Sequence, residues 1–294
     1  MARGVMPRRP GKSGKQEGLR RAGSRVPLKA ARPDTKSALG FSAGRARPAL
    51  SKAEGAPVST SKPKASDKKY NPVAAERVSE ILKRLDATYP DVTCALHHNS
   101  AWELLVATIL SAQCTDVRVN MTTPELFRKY PRMEDFAALK PEQLEPDIRS
   151  TGFFRNKSKS VVGAARKILA DFGGQVPDEM DKLLTIPGVA RKTANVVLGT
   201  WFKKNDGVVV DTHVTRISRR LELSKSEDAP KIEQDLMKVI PREKWTLFSH
   251  QIIWHGRKIC MARSPKCAEC PLENVCHAVD KTWSTVEIHK SAKP

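Results

Sequence analysis

From Pro72 onward the apolar residues recur at helical spacing. Val73, Ile81, Leu82 and Leu85, interleaved with Glu76 and Arg77, predict an amphipathic helix with Pro72 near its first turn. Residues 101–112, AWELLVATILSA, are apolar on nearly every side and predict a helix sunk in a core. SAQCTD then turns the chain, and Asp116 is placed to cap a short helix after it. Pro124 and Pro141 read as first residues of short helices over ELFRKY and EQLEPDI. TGFFRNKSKS leads into a longer helix with Val161, Val162, Ala165, Ile168, Leu169 and Phe172 three or four apart, ended by Gly173 and Gly174. Helices resume at 212–221, 229–239 and 243–259. Only VVV at 208–210 looks extended, and it is too short for a sheet. The pattern predicts an all-α chain with short loops.

Within this pattern LLTIPGVARKTANVVLGTW, residues 183–201, predicts a helical hairpin that turns at Pro187 and Gly188. The second helix starts directly after the turn, through Val189, Ala190 and Arg191. Its unpaired backbone N–H groups form an anion site suited to one phosphate of a nucleic-acid backbone. Lys192 lies in its first turn. An isolated lysine is ordinarily a solvated charge, so its meaning depends on the rest of the chain.

Charge supplies part of that meaning. The 294 residues carry a net charge of +20, which favours a polyanionic partner, nucleic acid or an anionic membrane surface. Residues 1–70 hold 18 Lys plus Arg against four Asp plus Glu, leaving 34 against 28 for the remainder. With seven Pro and few apolar residues, that segment is expected to be a disordered basic tail, a weak nucleic-acid tether or a solubilising extension. No stretch of about eighteen apolar residues occurs, so no membrane span is expected. The Arg-rich N-terminus lacks the apolar centre of a secretory signal, whereas an organellar presequence stays compatible with it.

Four of the six cysteines crowd into seventeen residues as Cys260, Cys267, Cys270 and Cys276, spaced C-x6-C-x2-C-x5-C. With no export signal, a metal site is favoured over disulfides. Tetrahedral zinc and a cubane [4Fe–4S] cluster both suit four thiolates. Zinc usually takes two separated C-x2-C pairs, and the uneven gaps here favour the larger cluster. Full ligation leaves no open iron position, which points to a structural role. Arg257, Lys258, Arg263 and Lys266 surround the cysteines in sequence and are expected to offer a basic loop to phosphate. Cys94 and Cys114 read as small apolar core residues.

Hairpin, lysine and cluster together resemble the endonuclease III DNA glycosylases of base-excision repair, within the helix-hairpin-helix superfamily. LLVATILSAQCTDVRVN, TGFFRNKSKS, LLTIPGVARKTANVV, VVVDTHVTRI and the four-cysteine spacing carry the resemblance, which covers about residues 72–280. It implies a two-domain all-α fold, with a six-helix barrel at 95–207 holding the hairpin and a [4Fe–4S] cluster domain at 208–280. An N-terminal helix, 71–94, would pack with the cluster domain, and 281–294 would form a C-terminal tail. The implied partner is double-stranded DNA with damaged bases or abasic sites, bound by a monomer with no membrane involved. The location would be cytoplasmic or nucleoid-associated in a prokaryote, organellar or nuclear in a eukaryote.

The implied activity is a bifunctional glycosylase and AP lyase on oxidised pyrimidines, cutting the strand 3′ to the abasic site. By resemblance, Lys192 attacks C1′ and Asp211 faces the positive charge that develops on the sugar. Asp211 is equally placed to cap the helix after it. Gln113 would face the orphaned partner base, and Phe153 or Phe154 would plug the other side. Gly188, Val189, Ala190 and Arg191 would meet the backbone. Lysine is ordinarily protonated, with a pKa of about 10.4. A helix dipole supplies at most about 2 kcal/mol against the cation, so burial or basic neighbours such as Arg191 must add to it. Ala190 stands where the family commonly has glycine, so its methyl must crowd the phosphate or sit at negative φ. A monofunctional mismatch glycosylase, a non-catalytic hairpin-and-cluster DNA-binding module and a zinc-stabilised DNA-binding protein are the alternatives.

Overall fold

The computed structural model describes Tyr70–Ser284, and the chain divides into Met1–Ala65 and Ser66–Pro294. The expected basic tail therefore lies outside the described residues, apart from Tyr70. Tyr70 stacks on His277 at 4.5 Å and donates to Glu222 at 2.5 Å, so it belongs with the folded part. The described residues form eleven α-helices and no strand: α1 Ala75–Thr88, α2 Ala101–Leu110, α3 Asp116–Lys129, α4 Met133–Ala138, α5 Pro141–Ile148, α6 Phe154–Phe172, α7 Met180–Leu184, α8 Arg191–Thr200, α9 Thr212–Arg220, α10 Ala229–Val239 and α11 Trp245–Lys258.

Two apolar cores organise these helices. One is built from α2 through α8 around Leu104, Leu105, Phe136, Ile148, Ile168 and Leu183. The other joins α1 to α9, α10 and α11 through Leu85, Ile217, Leu236, Phe248 and Ile252. Val208–Val210 crosses between them as buried chain outside any helix, and Val209 N–H donates to Ser249 Oγ at 3.0 Å. That hydrogen bond satisfies a buried amide that no sheet partner serves.

Several local expectations change. α3 does not begin at Pro124 but runs through it. Thr115 Oγ1 caps the helix by accepting from Arg118 N–H at 3.3 Å. Burial of Val119, Thr123 and Leu126 holds the helix together across the proline, whose exposed ring faces solvent. Asp116 is accordingly a first-turn residue, not the cap. Pro72 precedes the N-cap Ala74 of α1, whereas Pro141 does open α5. α6 ends at Gly173 in the left-handed region as expected. Lys281, assigned to the tail, tucks its side chain into the fold: its Nζ donates to Glu273 Oε1 at 2.6 Å and to Cys276 O at 3.2 Å.

The cores are also tied by polar contacts. Glu233 of α10 is buried, accepting from Asn195 Nδ2 at 2.8 Å and Arg191 Nε at 2.9 Å, both from α8. Glu233→Ala strands the buried Asn195 amide and should lower unfolding free energy by about 2 kcal/mol in denaturant titration. A loss under ~0.5 kcal/mol would show that water replaces the carboxylate without penalty.

Candidate active site and cluster loop

The hairpin is fixed from below. Ile186 and Val189 are buried, which roots the turn in the first core. Gly188 has φ +80, and a Cβ there would lie 2.5 Å from Ser160 Cβ on α6, so this position requires glycine. Ala190, the N-cap of α8, sits at φ −95 and ψ 170 with no side-chain cap, so the methyl is accommodated in ordinary extended backbone. The first amides of α8 consequently face outward with no side chain to serve them. The Val189 side chain is buried, and the Arg191 guanidinium pairs with Glu233 at 2.9 Å.

Lys192 and Asp211 line one cavity of about 640 Å³, together with Asp116, His250, Trp254 and Arg257. Lys192 is exposed, and among the described residues its amine has no hydrogen-bond or ion-pair partner. The protein thus leaves Lys192 unburied, and the neighbouring Arg191 is paired with Glu233. Asp211 Oδ1 accepts from His213 N–H and Val214 N–H, both at 2.8 Å, capping α9. Its other oxygen has no hydrogen-bond partner among the described residues, so capping leaves half the carboxylate free toward the cavity.

The other ionisable groups are quiet. Asp116 pairs with Arg257 at 2.6 Å across the cavity wall, linking α3 to α11. Burial, reinforced by nearby Lys203, pushes His250 down to about 4, and burial pushes the Cys94 thiol up. His213 is also held below its ordinary value, first by burial, so none of the three carries charge near neutral pH.

Gln113 and Phe153 come together on a second concavity of about 560 Å³, beside Asn156, Lys157, Ser160 and Gly188. Both are exposed, and both stand in the left-handed region, at φ 53 and 48. The structure separates the two candidate phenylalanines. Phe153 is 61 % exposed, whereas Phe154 packs on the first core between Arg149 and Arg155.

The cysteines Cys260, Cys267, Cys270 and Cys276 surround a cavity of about 340 Å³. Among the described residues no three His, Cys, Asp or Glu side chains close to single-ion distance. Four thiols lining one cavity suit a polynuclear cluster. Burial pushes the Cys270 thiol up to about 12, so its thiolate needs a cationic centre beside it. Of the expected basic ring, Lys266 lines this cavity and leans toward Glu269 at 3.7 Å, whereas Arg257 goes to Asp116 and Lys258 lies over Trp254 at 4.7 Å. Arg220, remote in sequence and without any motif to announce it, donates to Cys260 Sγ at 3.2 Å instead.

The described fold thus carries a helical hairpin, a cavity lined by an amine and a carboxylate, and a four-thiol loop. Residues 106–242 match the HhH-GPD superfamily of base excision DNA repair proteins, and residues 260–276 match the iron–sulfur binding domain of endonuclease III. The chain is 54% identical over 201 residues to the endonuclease III of Synechocystis sp., covering 68% of this chain and 92% of that protein. It is 42% identical over 207 residues to that of Bacillus subtilis, covering 70% and 94%. A trapped covalent endonuclease III–DNA intermediate superposes with a TM-score of 0.66 at 40% identity, over 69% of this chain and 96% of that one. The chain belongs to the endonuclease III family. It is a DNA-binding base-excision repair enzyme, and a [4Fe–4S] cluster is its cofactor.

Two substitutions test this geometry. Cys276→Ser should abolish the visible absorption and the bound iron and sulfide. It should also lower thermal stability, because Cys276 packs against the second core; retained iron would exclude it as a ligand. Ala190→Gly should leave turnover unchanged and shift stability by under ~1 kcal/mol, since an N-cap glycine is at least as acceptable as alanine. Clearly weaker DNA binding would contradict the outward-facing amides.

Proposed function

We propose that this enzyme is a bifunctional DNA glycosylase and AP lyase that removes oxidised pyrimidines from duplex DNA. The observation that carries the reading is the shared cavity, which brings together the Lys192 amine and the free oxygen of Asp211, neither with a hydrogen-bond partner among the described residues. The nucleotide is everted into this cavity, because a base within the stack is out of reach of any side chain. Gln113 and Phe153 occupy the gap left behind. The outward amides at the start of α8 hold a neighbouring phosphate.

In the reaction the uncharged Lys192 amine forms a bond to C1′ as the glycosidic bond breaks, and the base leaves with that bond's electron pair and a proton. The ring then opens to an imine. Loss of a C2′ proton expels the 3′ phosphate oxygen, which cuts the strand. The free Asp211 oxygen lies opposite the positive charge that develops on the sugar. Since the protein leaves Lys192 exposed, the desolvation that favours its neutral form comes from the bound DNA. The [4Fe–4S] cluster, held by Cys260, Cys267, Cys270 and Cys276, supplies structural cross-linking of its loop. The enzyme acts as a monomer wherever its DNA is kept, in a prokaryotic nucleoid or in a nucleus or organelle. No helix among the described residues is long and apolar enough to cross a membrane.

Borohydride reduction on a duplex containing thymine glycol tests the reading. Wild type should give a covalent protein–DNA adduct, and Lys192→Ala should give none while keeping its visible absorption. Asp211→Asn should slow base release by about a hundredfold or more. Strand cutting that survives Lys192→Ala would favour a different nucleophile or a monofunctional enzyme.

A further inference from the structure

Lys157 is 5 % exposed, a depth at which lysine is seldom found without a carboxylate partner. Its Nζ donates to Leu110 O and to Thr151 O, each at 2.8 Å. Those carbonyls have a particular place in the fold. Leu110 is the last residue of α2, and Thr151 is the last residue of the short 3-10 turn Arg149–Thr151. Both are helix-end carbonyls, left without an intrahelical donor and sitting at the negative end of a dipole. One ammonium therefore caps two chain ends 41 residues apart.

Each of those ends leads directly into a strained residue. Three residues after Leu110 comes Gln113 at φ 53; two residues after Thr151 comes Phe153 at φ 48. Left-handed backbone is costly for side chains of this size and persists only where the surroundings impose it. The Lys157 backbone N–H adds a third restraint, donating to Phe153 O at 3.1 Å. All three side chains border the same concavity of about 560 Å³. Burial pushes the Lys157 ammonium pKa down, yet the two carbonyls keep it a donor to both turns.

We propose that Lys157 is a positioning residue that sets the separation and backbone strain of the two turns bearing Gln113 and Phe153, and so prepares both side chains to enter the gap an everted nucleotide leaves. This deepens the base-eversion reading above and rests on it. Lys157 touches no reacting atom; it acts through the two turns. Without it, each turn can relax to an unstrained conformation, and insertion must restore the strained one at the expense of eversion.

The test separates eversion from chemistry. A duplex with 2-aminopurine opposite a tetrahydrofuran site has no base to release and no aldehyde to trap. Its fluorescence rise on saturating binding reports insertion beside the orphaned base, whatever the standing of Lys192. Lys157→Met keeps the buried volume but removes the donors, and should cut that rise by more than about half. It should also lower the ratio of base release from duplex to cleavage of a single-stranded abasic site by about tenfold, the value of one charge-assisted hydrogen bond. Visible absorption of the cluster should not change. Lys157→Gln, whose shorter amide reaches one carbonyl but not both, should fall between the two and serves if the methionine variant does not fold. In a Gln113→Ala, Phe153→Ala background, Lys157→Met should alter the ratio little further, because its effect passes through those side chains. A parallel loss in both activities, an unchanged fluorescence rise, or additive effects in that background would overturn the proposal.

Discussion

Glu233 accepts hydrogen bonds from Arg191 and Asn195, one turn apart on α8, and this grip decides which way that helix is rotated. Ala194, Val197 and Leu198 then point into the first core. Lys192 and Val196, on the remaining stripe, border the cavity. The three stripes are set by helical spacing once one is fixed. Glu233 itself belongs to α10 in the second core, so the lysine is aimed by a residue across the boundary between the two. Gly207 passes against this contact so closely that a methyl there would collide with both Glu233 and Asn195. The crossing segment that delivers Asp211 to the other wall begins at that glycine.

With the walls fixed, the cavity works by removing alternatives. His250 and Cys94 are kept uncharged by burial, and the Asp116 carboxylate is neutralised by Arg257. Lys192 and Asp211 bring to the cavity an amine and a carboxylate oxygen that no described residue satisfies. In the proposed reaction, two opposite charges held apart by the helices, neither paired within the protein, suit a course along which the charge at the sugar changes. A direct Lys192–Asp211 ion pair would stabilise the free enzyme and blunt both roles.

The helices were legible because burial imposes a 3.6-residue period, and α2, α6 and α9 to α11 fall close to where that period places them. Pro124 misled because local propensity puts proline at a helix start, while three buried residues of α3 outweigh that preference. The hairpin and the cysteine loop were legible as motifs. The cluster was legible too, from the uneven gaps between the four cysteines and from the resemblance they help to carry. Arg191 and Arg257 looked like surface charges available to phosphate, and both are bound to carboxylates more than 40 residues away. Glu233 and Lys157 carried no signal at all. A buried charged residue is identified by what covers it, and the covering helices are remote in sequence.

The same long-range logic gives the cluster loop its mechanical meaning. Arg220 donates to Cys260 Sγ and to Met261 O, and Arg216 donates to Cys260 O at 2.9 Å and Gly256 O at 3.2 Å. Both arginines lie on α9, the helix whose N-cap is Asp211. The loop's carbonyls and thiolate thus grip the C-terminal half of α9, and Asp211 is fixed at the opposite end of the same rigid rod. α9 is nine residues long, about 13 Å at 1.5 Å per residue. At that length, a tilt of a few degrees at the loop moves the carboxylate by less than about an ångström, a displacement on the scale to which reaction rates are sensitive. In the reading proposed above, a cluster held by those four cysteines would bear on base release without taking part in it, by keeping straight the helix that holds the Asp211 carboxylate in place.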